Sequence, residues 1–422
     1  MESHTIKNYD KLATSKLRQD ILAMGEAGLT AIDTAKVIEA QIQLKGRTLT
    51  IRNKSFDLDK FKNIKVIGFG KASCKAAEAL EKKLGKLIES GVAIGLTATA
   101  CEIIKTYGGT HPEPSYHNVD ISRQIFEIGK TATADDLVIV IVSGGGSSLL
   151  CWPKTECDQG QILYHQFLKT GGTIKELNTV RKHISLLKGG GLAKILYPAT
   201  VIGLIFSDIP GDHFDMVASG PTYKDSSTVK DAEAIIDKYN LTKFDLVETP
   251  KDDKYFANVS NIHLVDNIQA LEGIKKCAQD LGYNPVVLSN EVYEQAPVVV
   301  KKMRDLLDNY DLILAGGEPA MKVAEGGNGG RNLYVAMIAL DLIGPDECFL
   351  ALASDGMDNS DAAGAVVDAK TKKTLNDLKI NLADSIAKFN GYKLFEQLGE
   401  LVFTGPTEAN VSDLFILVKN KL

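Results

Sequence analysis

Hydrophobic positions along the chain fall into short runs, each followed by a glycine-rich turn and then by a helical pattern. The clearest run is 137–142, six consecutive apolar residues rich in Val and Ile, which predicts a buried parallel strand. It leads directly into Ser143, Gly144, Gly145, Gly146, Ser147 and Ser148. Free N–H groups in such a turn, followed by a helix N-terminus, favour phosphate binding, although the same turn also occurs without a ligand.

The same order of strand, turn and helix recurs through the chain. Residues 64–67 predict a strand, and the turn GFGKAS follows it, with Gly70 and Lys71 at its mouth. Lys71 is either a solvated surface lysine or a point charge for a phosphate. Further strands are predicted at 91–96, 103–107, 201–206, 263–265, 285–288, 311–315, 349–353 and 414–418. Helices are predicted at 11–43 with a break at Gly25 and Gly28, and at 74–84, 174–188, 229–239, 268–281, 296–308 and 333–342.

The predicted helix 174–188 is the most clearly amphipathic segment. Its apolar residues share one face, whereas Asn178, Arg181 and Lys188 lie on another. Gly189 and Gly190 follow it, which is typical of a helix C-terminus. The charged face is either solvated or part of an anion site.

Acidic residues follow several predicted strands. Asp208 and Asp212 lie after strand 201–206, and Asp355 lies after strand 349–353. These carboxylates could hold Mg²⁺, accept a proton or simply cap helices. EF-hand spacing is absent around Asp355, so calcium is not expected.

A second glycine-rich region follows strand 311–315. Gly317 and Glu318 end that strand, and four glycines between residues 326 and 330 precede Arg331. Arg331, directly after Gly330, begins a predicted helix. A guanidinium at a helix N-terminus is a strong combination for an anion.

Composition narrows the classes of function. The net charge of -6 argues against a broad basic face for nucleic acid. The longest apolar runs have about eight residues, far short of the roughly 20 that span a bilayer, so no membrane association is expected. The N-terminus lacks the pattern of a signal peptide. None of the six cysteines forms a CxxC pair, which favours reduced thiols in a cytoplasmic protein without structural zinc.

The recurring pattern predicts two α/β domains facing one another. Glycine turns, placed cations and strand-end carboxylates together are typical of phosphoryl transfer, which depends on positioning and charge neutralisation. The serine-rich turn is not the G-x-S-x-G elbow of a serine hydrolase.

Eight sequence blocks carry a resemblance to a known family. They are GFGKAS (68–73), SGGGSSL (143–149), NTVRKHISLLKGG (178–190), SDIPGD (207–212), ASGPT (218–222), GGRN (329–332), 354–364 and 405–410. In this order they resemble the type II glycerate kinases, the glycerate 2-kinases with a C-terminal MOFRL domain. One departure is Leu333-Tyr334 after GGRN, where the family usually has Gln-Glu.

The resemblance implies ATP-dependent phosphorylation of D-glycerate to 2-phosphoglycerate with Mg²⁺. It also implies a larger Rossmann-like domain at 1–245, a smaller MOFRL-type α/β domain at 246–422 and a cleft between them. The family's key lysine and arginine fall on Lys71 and Arg331. Alternatives are a kinase of a related hydroxy acid, a hydroxypyruvate reductase, for which no full GxGxxG fingerprint is present, and a non-catalytic sugar-acid sensor. The chain is expected to act as a monomer or homodimer.

We therefore assign hypothetical roles to these residues. The turn 143–148 and the turn 188–191 would hold nucleotide phosphates. Lys71 and Arg331 would hold the glycerate carboxylate or the migrating phosphoryl group. Asp208 or Asp355 would bind Mg²⁺ or orient the attacking hydroxyl, with Asp212 as a further metal ligand.

Overall fold

The apolar runs form the strands of two separate six-stranded sheets. The computed structural model describes residues 4–211, 213–321 and 327–420. The chain divides into two compact units: unit 1 comprises Met1–Asp33, Asp208–Asp212 and Asp266–Leu422, and unit 2 comprises Thr34–Ser207 and His213–Val265. The predicted α/β class is confirmed.

The helices and strands follow one another as expected for a layered α/β protein. The helices are Tyr9–Leu12 (α1), Lys16–Ala31 (α2), Thr34–Gln41 (α3), Ser73–Leu84 (α4), Tyr116–Lys130 (α5), Gly146–Leu149 (α6), Lys154–Phe167 (α7), Ile174–His183 (α8), Gly191–Leu196 (α9), Val229–Lys238 (α10), Asn267–Asp280 (α11), Ala296–Asp305 (α12), Arg331–Leu342 (α13), Ala369–Asp377 (α14), Leu382–Ala387 (α15) and Gly391–Leu398 (α16). The strands are Ile42–Lys45 (β1), Thr48–Ile51 (β2), Lys54–Asp57 (β3), Asn63–Phe69 (β4), Ile88–Gly95 (β5), Ile104–Gly108 (β6), Asp136–Ser143 (β7), Thr200–Phe206 (β8), Val259–Val265 (β9), Pro285–Val292 (β10), Leu312–Gly317 (β11), Glu347–Ala353 (β12), Gly364–Asp368 (β13), Leu401–Val402 (β14) and Asp413–Lys419 (β15). No helix in the described ranges combines the length and apolar character needed to cross a bilayer.

Unit 2 contains a fully parallel sheet with the strand order β6-β5-β4-β7-β8-β9. β7 lies inside the sheet, and all eight of its residues are buried. This burial on both faces explains the unbroken apolar run in the sequence. A small antiparallel sheet, β1-β2-β3, belongs to the same unit and was not predicted.

The prediction that residues 263–265 begin the second α/β series is wrong. These residues end β9, which pairs with β8 in the register Val201↔Val259 and Leu204↔Ile262. The short apolar run could not reveal which sheet it joins, because pairing partners are set by tertiary packing. The units therefore change at 265/266, whereas the domain boundary was placed at 245/246.

Unit 1 contains a mixed sheet with the order β10-β11-β15-β12-β13-β14. Only β10 and β11 are parallel, and β15 pairs antiparallel with both β11 and β12. Its core includes the buried rings of Phe349 and Phe415 and the side chain of Leu333. The last described strand of the chain thus lies inside this sheet.

The prediction that 11–43 is helical is confirmed for most of that range by α2 and α3, but the predicted break at Gly25 and Gly28 is wrong. α2 continues through both glycines and ends at Ala31. A Cβ at Gly25 would lie 2.8 Å from Leu350 Cδ2, and one at Gly28 would lie 2.8 Å from Ile274 Cγ1. These glycines therefore allow α2 to pack closely on α11 and β12 rather than ending the helix.

A buried ion cluster also fixes α2 within unit 1. The Arg18 side chain is 2% exposed and donates through Nε to Asp368 Oδ2 at 2.6 Å and through Nη1 to Glu400 Oε2 at 2.6 Å. Nη2 donates to Thr371 Oγ1 at 2.8 Å. The N-terminal helix is consequently part of the same unit as the C-terminal strands.

Candidate active site

Two glycine turns interlock at the carboxyl edge of the parallel sheet in unit 2. Gly70 follows β4 with φ of +116°, and a Cβ there would lie 2.3 Å from the Ser143 carbonyl oxygen. Lys71 N donates to Gly144 O at 2.8 Å, and Ala72 N donates to Ser143 Oγ at 3.1 Å. Ligands of open α/β sheets bind beyond this edge. The structure therefore brings the predicted residues Gly70, Lys71, Ser143 and Gly144 together.

The second turn is covered by two basic side chains. Gly145 has φ of +76° and precedes α6, which begins at Gly146. A Cβ at Gly145 would lie 2.9 Å from His111 Cδ2 and 3.1 Å from Lys71 Cγ. Only glycine leaves room for both side chains at this turn. His111 was not among the predicted site residues, because a histidine in a loop is more often an ordinary loop residue than a ligand contact.

The electrostatics of this turn are those of a cationic site. Loss of hydration, and then the positive charges of Lys71 and Arg181, lower the pKa of His111 to about 4. Burial lowers the pKa of Arg181 to about 10, against a small opposing effect of Tyr164. In the described part of the chain, no hydrogen bond or ion pair joins the Arg181 guanidinium to another residue. A guanidinium in this state favours an anionic ligand.

Arg181 lies beside the serines of the turn. It lines a narrow cavity of about 20 Å³ together with Ser147, Ser148, Tyr164 and Lys188. Ser148 Oγ donates to Gly145 O at 3.1 Å, so this hydroxyl helps to hold the turn.

Lys188 occupies a different environment from the one predicted. Its side chain is 3% exposed, and the ammonium donates to Leu150 O at 2.6 Å and forms an ion pair with Glu156. Burial raises the pKa of Glu156, whereas Lys188 lowers it. The charge of Lys188 is therefore compensated within unit 2, and this pair holds the segment after the glycine turn against α7.

The prediction that the amphipathic helix extends to residue 188 is wrong. α8 ends at His183, and the Ser185 hydroxyl then accepts hydrogen bonds from Leu187 N and Lys188 N, both at 3.1 Å. This local turn competes with the helix and directs Lys188 inwards.

A polar chain connects α8 to the glycine turn. Ser147 Oγ and Ser219 Oγ are 2.9 Å apart, and Ser219 Oγ donates to Asn178 Oδ1 at 3.1 Å. Gly189 N donates to Ser219 O at 2.9 Å, and Gly190 N to Gly220 O at 2.8 Å. Asn178, Gly189 and Gly190 therefore support the turn through Ser219. Sequence reasoning missed Ser219, for which the ASGPT block was the available signal.

Arg331 lies in unit 1, at the first position of α13, within an acidic cluster. Its Nε donates to Asp413 Oδ2 at 2.8 Å, and its Nη2 lies 3.3 Å from Glu318 Oε1. Nη1 makes no hydrogen bond to the described residues. Glu318 follows Gly317, which pairs with Asp413 at the end of β11. Arg331 thus keeps donors for a ligand while two carboxylates fix its orientation.

The N-terminus of α13 already has an internal anionic partner. Asp358 accepts hydrogen bonds from Gly330 N at 3.2 Å, Asn332 N at 3.0 Å and Leu333 N at 2.8 Å. Burial and the nearby charge of Asp413 raise the pKa of Asp358 to about 6, against these donors. The prediction that this helix N-terminus and Arg331 together bind an external anion is therefore wrong, because the Asp358 carboxylate already occupies the N-terminus.

Further acidic residues of unit 1 affect the pKa of Glu318, which belongs to the same cluster. Burial raises the pKa of Glu318, Arg331 lowers it, and the charges of Asp413, Asp208 and Asp355 raise it further. Asp212 lies outside the described residues. Within the described ranges, no three His, Cys, Asp or Glu side chains converge in a way that could hold a metal ion. Asp208 and Asp355 are carboxylates of the type that Mg²⁺ accepts alongside substrate phosphates.

A cavity of about 340 Å³ lies in unit 1 beside this cluster. Carboxylates of Glu318, Asp355, Asp358 and Asp413 line it together with Arg331. Its volume is at the lower end of small-molecule sites. Asp413 was missed in the sequence because a single acidic residue before a buried strand is unremarkable.

Two family models match the chain, and several characterised proteins are similar to it over most of its length. A model described as "Domain of unknown function (DUF4147)" matches residues 20–248, and the MOFRL family model matches residues 311–413. D-glycerate 2-kinase of Thermotoga maritima is 34% identical over 376 residues, which cover 83% of this chain and 89% of the relative. A putative hydroxypyruvate reductase of Agrobacterium vitis is 33% identical over 377 residues, which cover 83% of this chain and 85% of the relative.

The same relationship is visible in three dimensions. The crystal structure of glycerate kinase from Thermotoga maritima matches with a TM-score of 0.84 at 28% identity, and the match covers 95% of this chain and 99% of the other. The family resemblance predicted from the sequence blocks is thereby confirmed. The chain belongs to the glycerate kinase family, with a DUF4147 domain followed by a MOFRL domain.

Proposed function

We propose that this protein transfers the γ-phosphoryl group of ATP to the 2-hydroxyl of D-glycerate, which yields 2-phosphoglycerate and ADP. The observation that carries the proposal is the convergence of Lys71, His111 and Arg181 on interlocked glycine turns, with the Arg181 guanidinium lacking a partner in the described chain. A triphosphate or a small carboxylate supplies the missing negative charge. The D-glycerate 2-kinase of Thermotoga maritima is the relative that suggests which acceptor is used.

Unit 2 would bind the phosphates. Backbone N–H groups of the turn 143–148 and the Lys71 ammonium would contact them, and Arg181 would neutralise charge as it redistributes. Lys188 would act as a positioning residue, since its charge is already compensated by Glu156.

Unit 1 would contribute Arg331 and the acidic residues. Through its remaining donors, Arg331 would hold the glycerate carboxylate or the migrating phosphoryl group. The bond that forms joins glycerate O2 to the γ-phosphorus, and the bond that breaks joins this phosphorus to the β–γ bridging oxygen. The hydroxyl proton would pass to Asp208 or Asp355. The same two carboxylates would hold Mg²⁺, which when bound neutralises charge on the phosphates.

ADP release in the presence of D-glycerate and MgATP tests the activity, and NMR of the product identifies the phosphorylated hydroxyl. We expect Lys71→Ala, Arg181→Ala and Arg331→Ala each to lower kcat/KM by at least about 100-fold, the scale of one lost transition-state contact. Lys243→Ala removes an exposed lysine of unit 2 and serves as the matched control.

Two results would contradict the proposal in different ways. No ADP release by the wild-type protein across a panel of small hydroxy acids would overturn the kinase activity. Full turnover by both Lys71→Ala and Arg331→Ala would overturn the residue assignment alone. We place the reaction in the cytoplasm, where the six free thiols of this chain would stay reduced.

A further inference from the structure

The cavity of unit 1 has an apolar wall that the proposed phosphoryl chemistry does not use. Tyr334 and Phe389 line it with stacked rings, whose centroids are 4.9 Å apart at an interplanar angle of 19°. Met321, Met337 and Met357 also line the cavity. Both rings are partly exposed, so neither is fully covered by the core. Aromatic and methionine side chains form adaptable surfaces for flat apolar groups.

The backbone holds Phe389 at this wall at some cost. Phe389 has φ of +52°, a conformation that bulky residues rarely adopt. Gly327 leaves the necessary space, because a Cβ there would lie 2.8 Å from Phe389 Cβ. Such a conformation persists only where the surroundings impose it, and it often marks a binding site.

The opposite wall decides which ligand fits. Four carboxylates line it, those of Glu318, Asp355, Asp358 and Asp413, and among the described lining residues Arg331 is the single cation. Arg331 already pairs with Asp413 and Glu318. The remaining donors of Arg331 suffice for one small anionic group, as proposed above, but a whole triphosphate in this cavity would meet net repulsion from the four carboxylates. A neutral ring with N–H and O–H donors would instead stack on the aromatic wall and donate to the carboxylates.

We propose that this cavity binds the purine nucleoside part of the nucleotide, with the base against Tyr334 and Phe389. The inference rests on the proposed use of ATP and deepens it, because it names the residues that would contact the base. The cavity of about 340 Å³ matches a nucleoside in size, since sites for whole drug-sized ligands begin at about 300 Å³.

Calorimetric titration of the full-length protein with ADP tests the inference without requiring turnover. Loss of one base–aromatic contact corresponds to about a 5- to 150-fold rise in Kd. We expect a rise in this range for Tyr334→Leu, and less than a two-fold change for Tyr334→Phe, which keeps the ring. Tyr116→Leu, at an exposed tyrosine of unit 2, is the matched control. Adenosine should compete with ADP, whereas ribose 5-phosphate should not.

The possible outcomes distinguish failure of this inference from failure of the proposed function. If the wild-type protein binds no ADP, the proposed use of ATP fails and this inference fails with it. If Tyr334→Leu binds ADP as tightly as the wild type, the nucleoside site is wrong while the kinase proposal stands. If instead the KM for D-glycerate rises and the Kd for ADP does not, the cavity belongs to the acceptor and the inference is overturned. Met357→Ala, at a half-exposed lining residue, repeats the test should Tyr334→Leu not fold.

Discussion

Arg18 offers the sharpest test of how the N-terminal helix is held in unit 1. Arg18→Leu would leave the partly buried Asp368 and the buried Glu400 without their shared cation. Removing one partner of a buried ion pair costs about 3–5 kcal/mol. For a unit of this size, 1 kcal/mol corresponds to about 2–4 °C in Tm, so we expect a loss of about 6–20 °C.

The assay is urea and thermal unfolding followed by far-UV circular dichroism. Lys388→Leu is the control, because it removes an exposed cation of unit 1 whose one ion-pair partner among the described residues is Asp384, four residues earlier, a contact worth about 0.5 kcal/mol. If Arg18→Leu lowers the free energy of unfolding no more than Lys388→Leu, the cluster does not anchor α2. The combined variant Arg18→Leu, Asp368→Asn, Glu400→Gln should recover much of the loss, since no charge is then left unpaired.

The pH dependence of this effect has a definite sign. Burial alone would raise the pKa of Asp368, but hydrogen bonds and charge from Arg18 hold it below its ordinary value. A lowered folded-state pKa contributes stability above the unfolded value near 4 and loses it as the pH falls further. The difference between wild type and Arg18→Leu should therefore shrink below about pH 4.

Three further predictions concern the glycine turn, its histidine and the α2 packing. Gly145→Ala should lower kcat/KM at least about ten-fold, because the new Cβ would displace His111. Gly171 also has positive φ but has open space around it, so Gly171→Ala should lose only about 1 kcal/mol of stability and keep its activity. Equal activity of the two variants would refute this prediction. NMR titration should give His111 a pKa near 4 without ligand and a higher value with ADP, and an unchanged pKa would show that no anion binds beside it. Gly28→Ala should lower the free energy of unfolding by about 1–3 kcal/mol, although alanine has a better helix propensity than glycine. Adding Ile274→Val should restore part of this loss. A Gly28→Ala protein more stable than the wild type would contradict the close packing of α2 on α11.

Local chemistry explains what could be predicted from the sequence. The buried run of β7 and the turn at 143–148 are set by nearby residues, since an unbroken apolar run and the cluster of glycines after it lie in one short window of the sequence. The order of strand, turn and helix likewise predicted the α/β class, and Lys71 was correctly expected at the mouth of a turn.

Contacts between distant residues explain which features could not be predicted from the sequence. Arg18 meets Asp368 and Glu400 across 350 and 382 positions of the chain, so no sequence window contains the cluster. The burial of Lys188 depends on its pairing with Glu156, 32 positions earlier in the chain, and a helical period alone cannot predict that contact. The N-terminus of α13 looked open in the sequence because nothing there indicates that Asp358 caps it.

The central position of β15 has a consequence for the order in which the protein is built. Unit 2 ends at Val265, so its sheet can close while later residues are still being synthesised, as domains generally fold when they emerge. The sheet of unit 1 cannot close at that stage, because β11 and β12 each pair with the strand Asp413–Lys419, which lies between them. Until that strand leaves the ribosome, the sheet on which α2 packs is incomplete, so the apolar face of α2 stays uncovered in the growing chain.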